Sequence, residues 1–361
     1  MKYVIEKNKG ESAYLQLYKQ VRQDIVEGIY PFGSKLVSKR IIADELGIST
    51  VTVEHAYALL SDEGYIESRE RSGYFVIFRT DDSFAAWSRK EIAPVALHTQ
   101  NTSQLHEFPF SVLTKTMRGV ISEYGEAILN KSHNCGCIQL RQAIKQYLAR
   151  SRGITADTDQ IIIGSGSEYL YGLIVELLGR NRVYAIEHPS YKKIEQVYLS
   201  FDVKYEKLPL SKDGIESSSL WESKADILHI SPYRSFPSGV TATASKRHEY
   251  MRWAAEGDRY IIEDDFESEF SVSKKPEETL FSHSLSDNVI YMNTFSKTVS
   301  PSLRTGYMVL PKGLAAQFKE KLGFYSCTVP TFVQLVLAEL IANGDFERHI
   351  NRVRRKKRKE L

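Results

Sequence analysis

Thr294-Phe295-Ser296-Lys297-Thr298, with Arg304 seven residues past the lysine, gathers an amine, several hydroxyls and a guanidinium into one short stretch. Such an amine forms an imine with an aldehyde, and hydroxyls with a guanidinium hold a phosphate. Thirty-three residues before the lysine, Asp264 lies in Glu263-Asp264-Asp265, directly after the apolar run Tyr260-Ile261-Ile262. A carboxylate there could hold a ring nitrogen, so the set suits an aldehyde cofactor with a phosphate arm and a basic ring. Gly164-Ser165-Gly166-Ser167 follows another apolar run and opens a helical pattern. Backbone N–H groups at a helix N-terminus suit a phosphate as well. Each signal is weak alone. Gly-Ser turns are usually only turns, acidic pairs after strands are more often caps or metal sites, and loop lysines are mostly solvated. Their order along one chain carries the reading.

The elements that must position these residues follow from periodicity. Apolar runs at 160–163, 182–186, 227–230, 260–262, 289–291 and 306–310 predict strands. Amphipathic stretches at 136–152, 167–178 and 245–256 predict helices between them. Continuous apolar strands alternating with helices predict an α/β domain with a mostly parallel sheet covered on both faces. Ligands in such sheets sit beyond the carboxyl ends of strands, where the three signals fall.

A length of 361 residues predicts more than one domain. Residues 79–104 hold no sustained period and predict a connector. The net charge of +3 says little. The final fifteen residues carry eight basic and two acidic side chains, read as a solvated helix face rather than a nucleic-acid tail. Cys135, Cys137 and Cys327 form no disulfide framework, and Cys135-Gly136-Cys137 lacks a second ligand pair, so no metal site is expected. No signal-peptide core or membrane span is apparent, and the expected location is cytoplasmic.

The first eighty residues balance eleven basic against eleven acidic side chains, so charge alone does not suggest DNA. The order of elements does. A helix over 13–27 is followed by a second over 39–46 capped by Ser38, a turn at Gly47, and a third over 50–64 capped by Ser49. Val53, Ala56, Tyr57 and Leu60 share one inward face, leaving Thr50, Thr52 and His55 outward. A hairpin over 65–77 follows, with Arg69 and Arg71 at its tip. A small helical interaction domain is the alternative; the sequence helix, helix, turn, helix, hairpin favours a winged helix-turn-helix.

Two resemblances extend this reading. Residues 1–78 resemble the GntR-type winged helix-turn-helix, through Tyr14-Leu15-Gln16-Leu17, Gly33-Ser34-Lys35-Leu36, Ser38-Lys39-Arg40, Leu46-Gly47-Ile48-Ser49, Thr52-Val53 and Gly73-Tyr74-Phe75-Val76. Residues 105–361 resemble a fold-type I, class I aminotransferase domain, through His188-Pro189-Ser190-Tyr191, Phe236-Pro237-Ser238-Gly239, Glu263-Asp264-Asp265-Phe266 and Thr294-Phe295-Ser296-Lys297. Together they resemble the MocR subgroup of GntR-type regulators. The resemblance implies DNA contacts at Ser38, Arg40, Ser49, Thr52 and Gly73, to which Thr50 at the start of the third helix and Arg71 at the hairpin tip are added by position. It implies pyridoxal 5'-phosphate held as a Schiff base on Lys297, with Asp264 on the ring nitrogen and Tyr191 on the ring face. Ser165, Gly166, Ser167, Thr294, Ser296 and Arg304 would take the phosphate.

It further implies a homodimer, and pyridoxal phosphate itself or a primary amine or amino acid as the signal. Four positions depart from the pattern. Val37 replaces a proline and Thr50 an arginine that often contacts DNA. Phe266 replaces a tyrosine, and Phe236 stands where aminotransferases carry an asparagine. The small C-terminal domain of the family, with its carboxylate-binding arginine, is expected to be missing. Little or no transaminase turnover is therefore expected. The alternatives are an aminotransferase with a fused DNA-binding segment, and a regulator that binds DNA without the cofactor.

Overall fold

In the computed structural model, which describes residues 3–6, 10–79, 108–272 and 278–360, the first compact unit lies within 1–100 and the second within 101–361. The connector expected over 79–104 lies outside the described residues except for Arg79.

Apolar side chains at helical spacing build the first unit. Helix α1 (Ala13–Val26) buries Leu17, Val21 and Ile25, and α3 (Thr50–Asp62) buries Val53, Ala56, Tyr57 and Leu60 against them. Between them runs α2 (Lys39–Leu46), which ends at Gly47 with φ 62°. A side chain there would be strained in this left-handed conformation, so glycine permits the tight turn into α3. Tyr57 Oη donates to the Val37 carbonyl at 2.8 Å, tying α3 to the segment before α2. Strands β1 (Ile66–Arg69) and β2 (Gly73–Val76) pair antiparallel, with Arg69 opposite Gly73 at the tip.

The second unit runs α4 (Phe110–Tyr124), α5 (Ile138–Arg152), β3 (Ile161–Gly164), α6 (Ser167–Leu178), β4 (Tyr184–His188), α7 (Lys192–Ser200), β5 (Tyr205–Ser211) and β6 (Gly214–Ile215). It continues with α8 (Ser217–Glu222), β7 (Ile227–Ile230), α9 (Ala244–Ala255), β8 (Tyr260–Asp264), α10 (Leu280–His283), β9 (Val289–Thr294) and β10 (Gly306–Val309). Helices α11 (Lys312–Leu322), α12 (Thr331–Ala342) and α13 (Asp345–Glu360) close it. The sheet order is β3-β10-β9-β8-β7-β4-β5-β6. The pairs β9–β8, β8–β7, β7–β4 and β4–β5 are parallel; β10 is antiparallel to both neighbours, and β6 folds back on β5.

Successive strand residues face opposite layers, as strand geometry requires. Ile161 and Ile163 pack with α5 and α12, whereas Ile162 packs with α6 and α11. Burying such a side chain stabilises by ~1.5–3 kcal/mol, so the double-sided cover explains the unbroken apolar runs. Strand boundaries shift slightly from the periodicity: Gln160 belongs to a 3-10 turn, and β4 begins at Tyr184. Strands β5 and β6 carry no apolar run because they lie at the sheet edge, where Glu206, Lys207 and Pro209 are tolerated. Among the described residues no helix is long and apolar enough to cross a membrane.

Candidate functional site

Strand β3 is antiparallel to β10, which is antiparallel to β9, so β3 runs with β4, β7, β8 and β9. Their carboxyl ends therefore share one edge. From it come Ser165-Gly166-Ser167 after β3, Tyr191 after β4, Asp264 as the last residue of β8, and Lys297 just after β9. The sheet brings together residues more than a hundred positions apart in sequence.

Asp264 is buried on this edge. Its Oδ2 accepts from the Tyr171 hydroxyl on α6, and His229 Nε2 on β7 lies 3.7 Å from the same oxygen. The Tyr198 hydroxyl on α7 is 2.7 Å from His229 Nδ1, completing a chain of four side chains. Asp264 Oδ1 has no hydrogen-bond partner. A buried carboxylate oxygen without a donor is costly unless a ligand supplies one. Burial, and then Asp264, pushes the Tyr171 phenol well above its ordinary range, so it keeps the proton that it donates to Asp264.

The β3–α6 turn makes a cradle. Gly166 has φ 100° and caps α6, and a Cβ there would meet Arg304 Nη2 at 3.1 Å. Glycine thus lets the Arg304 guanidinium close on the helix N-terminus. Ser165 and Ser167 flank it, half-buried. Glu168 takes the Arg304 guanidinium at 2.9 Å and also pairs with Lys193. Burial opposes ionisation of Glu168, but Lys193, its own backbone N–H and Arg304 outweigh that and hold it down to about 2. Tyr191 caps α7 and meets the Phe236 ring edge-on at 6.2 Å.

Lys297 pairs with Glu267, and its Nζ stands 4.4 Å from the centre of the Phe266 ring. Arg234 Nε approaches the other oxygen of Glu267 at 3.6 Å. Thr294 and Ser296 are half-buried at the end of β9, and the Thr294 N–H donates to Asn293 Oδ1 at 2.6 Å. Gly166 and Arg304 therefore come close, whereas Lys297 is engaged by Glu267, whose role the sequence did not reveal. Tyr171, His229, Tyr198 and Glu168 were missed too. One signal was available: His229 interrupts an otherwise apolar buried strand, Ile227-Leu228-His229-Ile230.

The three consecutive acids do three different jobs. Glu263 accepts from the Leu280 and Phe281 N–H groups at 2.9 Å each, holding the start of α10. Asp264 faces the site. Asp265 pairs with Arg152 at 3.3 Å and accepts from Tyr291 at 2.8 Å. Burial pushes Glu263 up to about 8, against the pull of its two backbone donors, and burial likewise raises Glu187 and Glu269 to about 7. Folded, these carboxyls keep protons that the unfolded chain loses above about 4.5. Their stabilisation is complete below that value and is lost as pH rises through 7 to 8. Thermal midpoints should therefore fall from pH 5.5 to pH 8.5, and Glu263→Gln should flatten that slope; scanning calorimetry across the range measures both.

In the first unit, the predicted contact residues lie on α2, α3 and the hairpin. Ser38 and Ser49 cap their helices, Ser49 Oγ accepting from Thr52 N–H at 3.1 Å. Arg40, Thr50 and Arg71 are exposed, Thr52 and Gly73 half-buried.

The second unit thus has a mostly parallel α/β sheet with polar side chains gathered at one edge, and the first a helix-turn-helix with a wing. Comparison with known proteins bears on both. Residues 13–76 match the model of the gntR family of bacterial regulatory proteins, and residues 107–360 that of aminotransferase class I and II. The chain is 34% identical over 357 residues to the uncharacterized HTH-type transcriptional regulator YdeL of Bacillus subtilis, covering 96% of this chain and 77% of that protein. It is 27% identical over 376 residues to the probable rhizopine catabolism regulatory protein MocR of Rhizobium meliloti, covering 98% and 76%. The kynurenine aminotransferase of Pyrococcus horikoshii superposes with a TM-score of 0.62 at 26% identity, over 69% of this chain and 64% of that enzyme. The chain belongs to the GntR family of helix-turn-helix transcriptional regulators, in the MocR-type group that carries an aminotransferase class I/II domain.

Proposed function

We propose that this regulator binds pyridoxal 5'-phosphate through Lys297 and that the cofactor, or a primary amine or amino acid reacting with it, changes its hold on an operator. The observation that carries the reading is the unpartnered, buried Asp264 Oδ1, left facing the strand edge by Tyr171. A protonated ring nitrogen is the donor that it lacks. The chain's residues fit the rest of the group: the α6 N-terminus with Ser165, Gly166, Ser167, Thr294, Ser296 and Arg304 for the phosphate, and Tyr191 for the ring face. When bound, the cofactor supplies an electron-withdrawing ring joined to an exchangeable amine. The protein's part is to hold ring and phosphate while Glu267 releases Lys297 and Arg304 turns from Glu168 toward the anion.

On the DNA side, Ser38, Arg40, Ser49, Thr50, Thr52, Arg71 and Gly73 make the contacts, with two copies of the chain on a two-fold operator. A ligand alters this binding only by its differential affinity for the two states of the regulator. Turnover is not required, and Phe266 and Phe236 remove two donors that tune the reacting imine in aminotransferases. A second reading is a regulator that has lost the cofactor, favoured by the carboxylate partners already on Lys297 and Arg304. Mixing the purified chain with pyridoxal phosphate decides between them. A visible imine band near ~420 nm, with operator binding altered by the cofactor, is expected. Intact operator binding with no band selects the second reading.

A further inference from the structure

Helix α3, Thr50-Val51-Thr52-Val53-Glu54-His55-Ala56-Tyr57-Ala58-Leu59-Leu60-Ser61-Asp62, carries no lysine or arginine. This matters for what it can read. Guanine presents two acceptors in the major groove and is taken bidentately by arginine or lysine; thymine presents a methyl group and is taken by apolar contact. The buried face of α3 is spent on the core through Val53, Ala56, Tyr57 and Leu60. The exposed face holds Thr50, Val51, Glu54, His55 and Ala58.

Two of these are already engaged. Glu54 pairs with Lys39 of α2 at 2.8 Å, and His55 meets the Tyr14 ring edge-on at 5.8 Å. Val51, in the first turn, is 56% exposed and lies outside the apolar core of this unit. Ala58 lies seven residues on, two turns along the same face and ~10 Å away along the axis. The cations surround α3 instead of lying on it. Arg40 is exposed near the start of α2, and Arg71 is exposed at the hairpin tip with φ 58°. They suit phosphates, and a narrow minor groove over A·T pairs suits a wing arginine.

We infer that this regulator reads its operator through thymine methyl groups, with Val51 packed on the 5-methyl beneath the first turn of α3 and Ala58 on a second, in half-sites that lack a guanine contact to α3. Base discrimination by α3 is then apolar, and the cations serve the phosphates and the minor groove. The inference concerns the first unit and is independent of the cofactor.

The test uses the full chain and a randomised duplex library, followed by uracil for thymine at each position of the enriched core. Uracil removes one methyl and nothing else. At one or two positions per half-site the wild type should lose about fourfold in affinity, the worth of one buried methyl. Val51→Ala should weaken the thymine duplex by a similar factor and no longer distinguish it from the uracil duplex at that position. Val51 is exposed, so its substitution leaves the core intact. A guanine-centred core, no uracil-sensitive position, no position whose sensitivity is lost in Val51→Ala, or no enrichment at all would each overturn the inference.

Discussion

Lys297→Ala is expected to abolish the visible band that the wild-type chain develops with pyridoxal phosphate, while leaving the fold intact. The amine follows β9 on the same sheet edge as Asp264, which places it to form the imine, so its removal eliminates the covalent link. What remains is ionic: the cradle of Ser165, Gly166 and Ser167, with Arg304, still suits a phosphate. The variant should therefore bind the cofactor weakly and without the band, as equilibrium dialysis would detect. The Lys297 side chain is 37% exposed and its partner is a single carboxylate, so its loss should change stability by no more than ~1 kcal/mol. A band that survives in Lys297→Ala would move the attachment to another lysine and remove the basis for the assigned site. Loss of the band together with a collapse of the thermal midpoint would instead make Lys297 a structural residue.

The candidate site residues stand out in the sequence because they lie in short local motifs. Asp264, Lys297 and Ser165-Gly166-Ser167 each follow an apolar run, and a parallel sheet gathers strand ends without further information. What refines the site was not legible because it depends on contacts across long separations. Tyr171 reaches Asp264 over 93 residues, and Arg304 reaches Glu168 over 136. Nothing local distinguishes Tyr171 from the other apolar positions of α6, since its ring packs as a core residue and only its hydroxyl does the positioning. Glu267 directly follows the Glu263-Asp264-Asp265-Phe266 motif, but its pairing with Lys297 depends on how the turn after β9 folds back toward the residues following β8. The same limit hid β5, whose sequence is that of an edge strand. In the first unit the helix caps were readable at Ser38 and Ser49, since capping is local chemistry.

Arg152→Met should be the most destabilising single change in the second unit, for reasons unconnected with the cofactor. Arg152 is almost wholly buried at the end of α5 and faces two carboxylates, Asp265 Oδ2 at 3.3 Å and Glu269 Oε1 at 3.7 Å. It also donates to Ser268. Burial works against the guanidinium charge, but Asp265 and Glu269 outweigh it and hold the proton well above the ordinary range. Around this cation, Tyr291 donates to Asp265 at 2.8 Å, Asn293 to Glu269 at 2.5 Å, and Arg354 of α13 to the Glu269 carbonyl at 2.6 Å. Methionine fills much of the volume but leaves two buried carboxyls without their cation, a loss of ~3–5 kcal/mol. The cost should depend on pH. Burial already lifts Glu269 to about 7 against the pull of Arg152, and without Arg152 it rises further. Its carboxyl then stays neutral in the folded variant at pH 6, whereas at pH 8.5 holding that proton, or burying the charge, costs more. Denaturant unfolding should accordingly find the deficit smaller at pH 6 than at pH 8.5, and Arg152→Met with Glu269→Gln should recover part of it. A deficit independent of pH and untouched by the second substitution would mean that packing, not charge, holds α5 to the segment after β8.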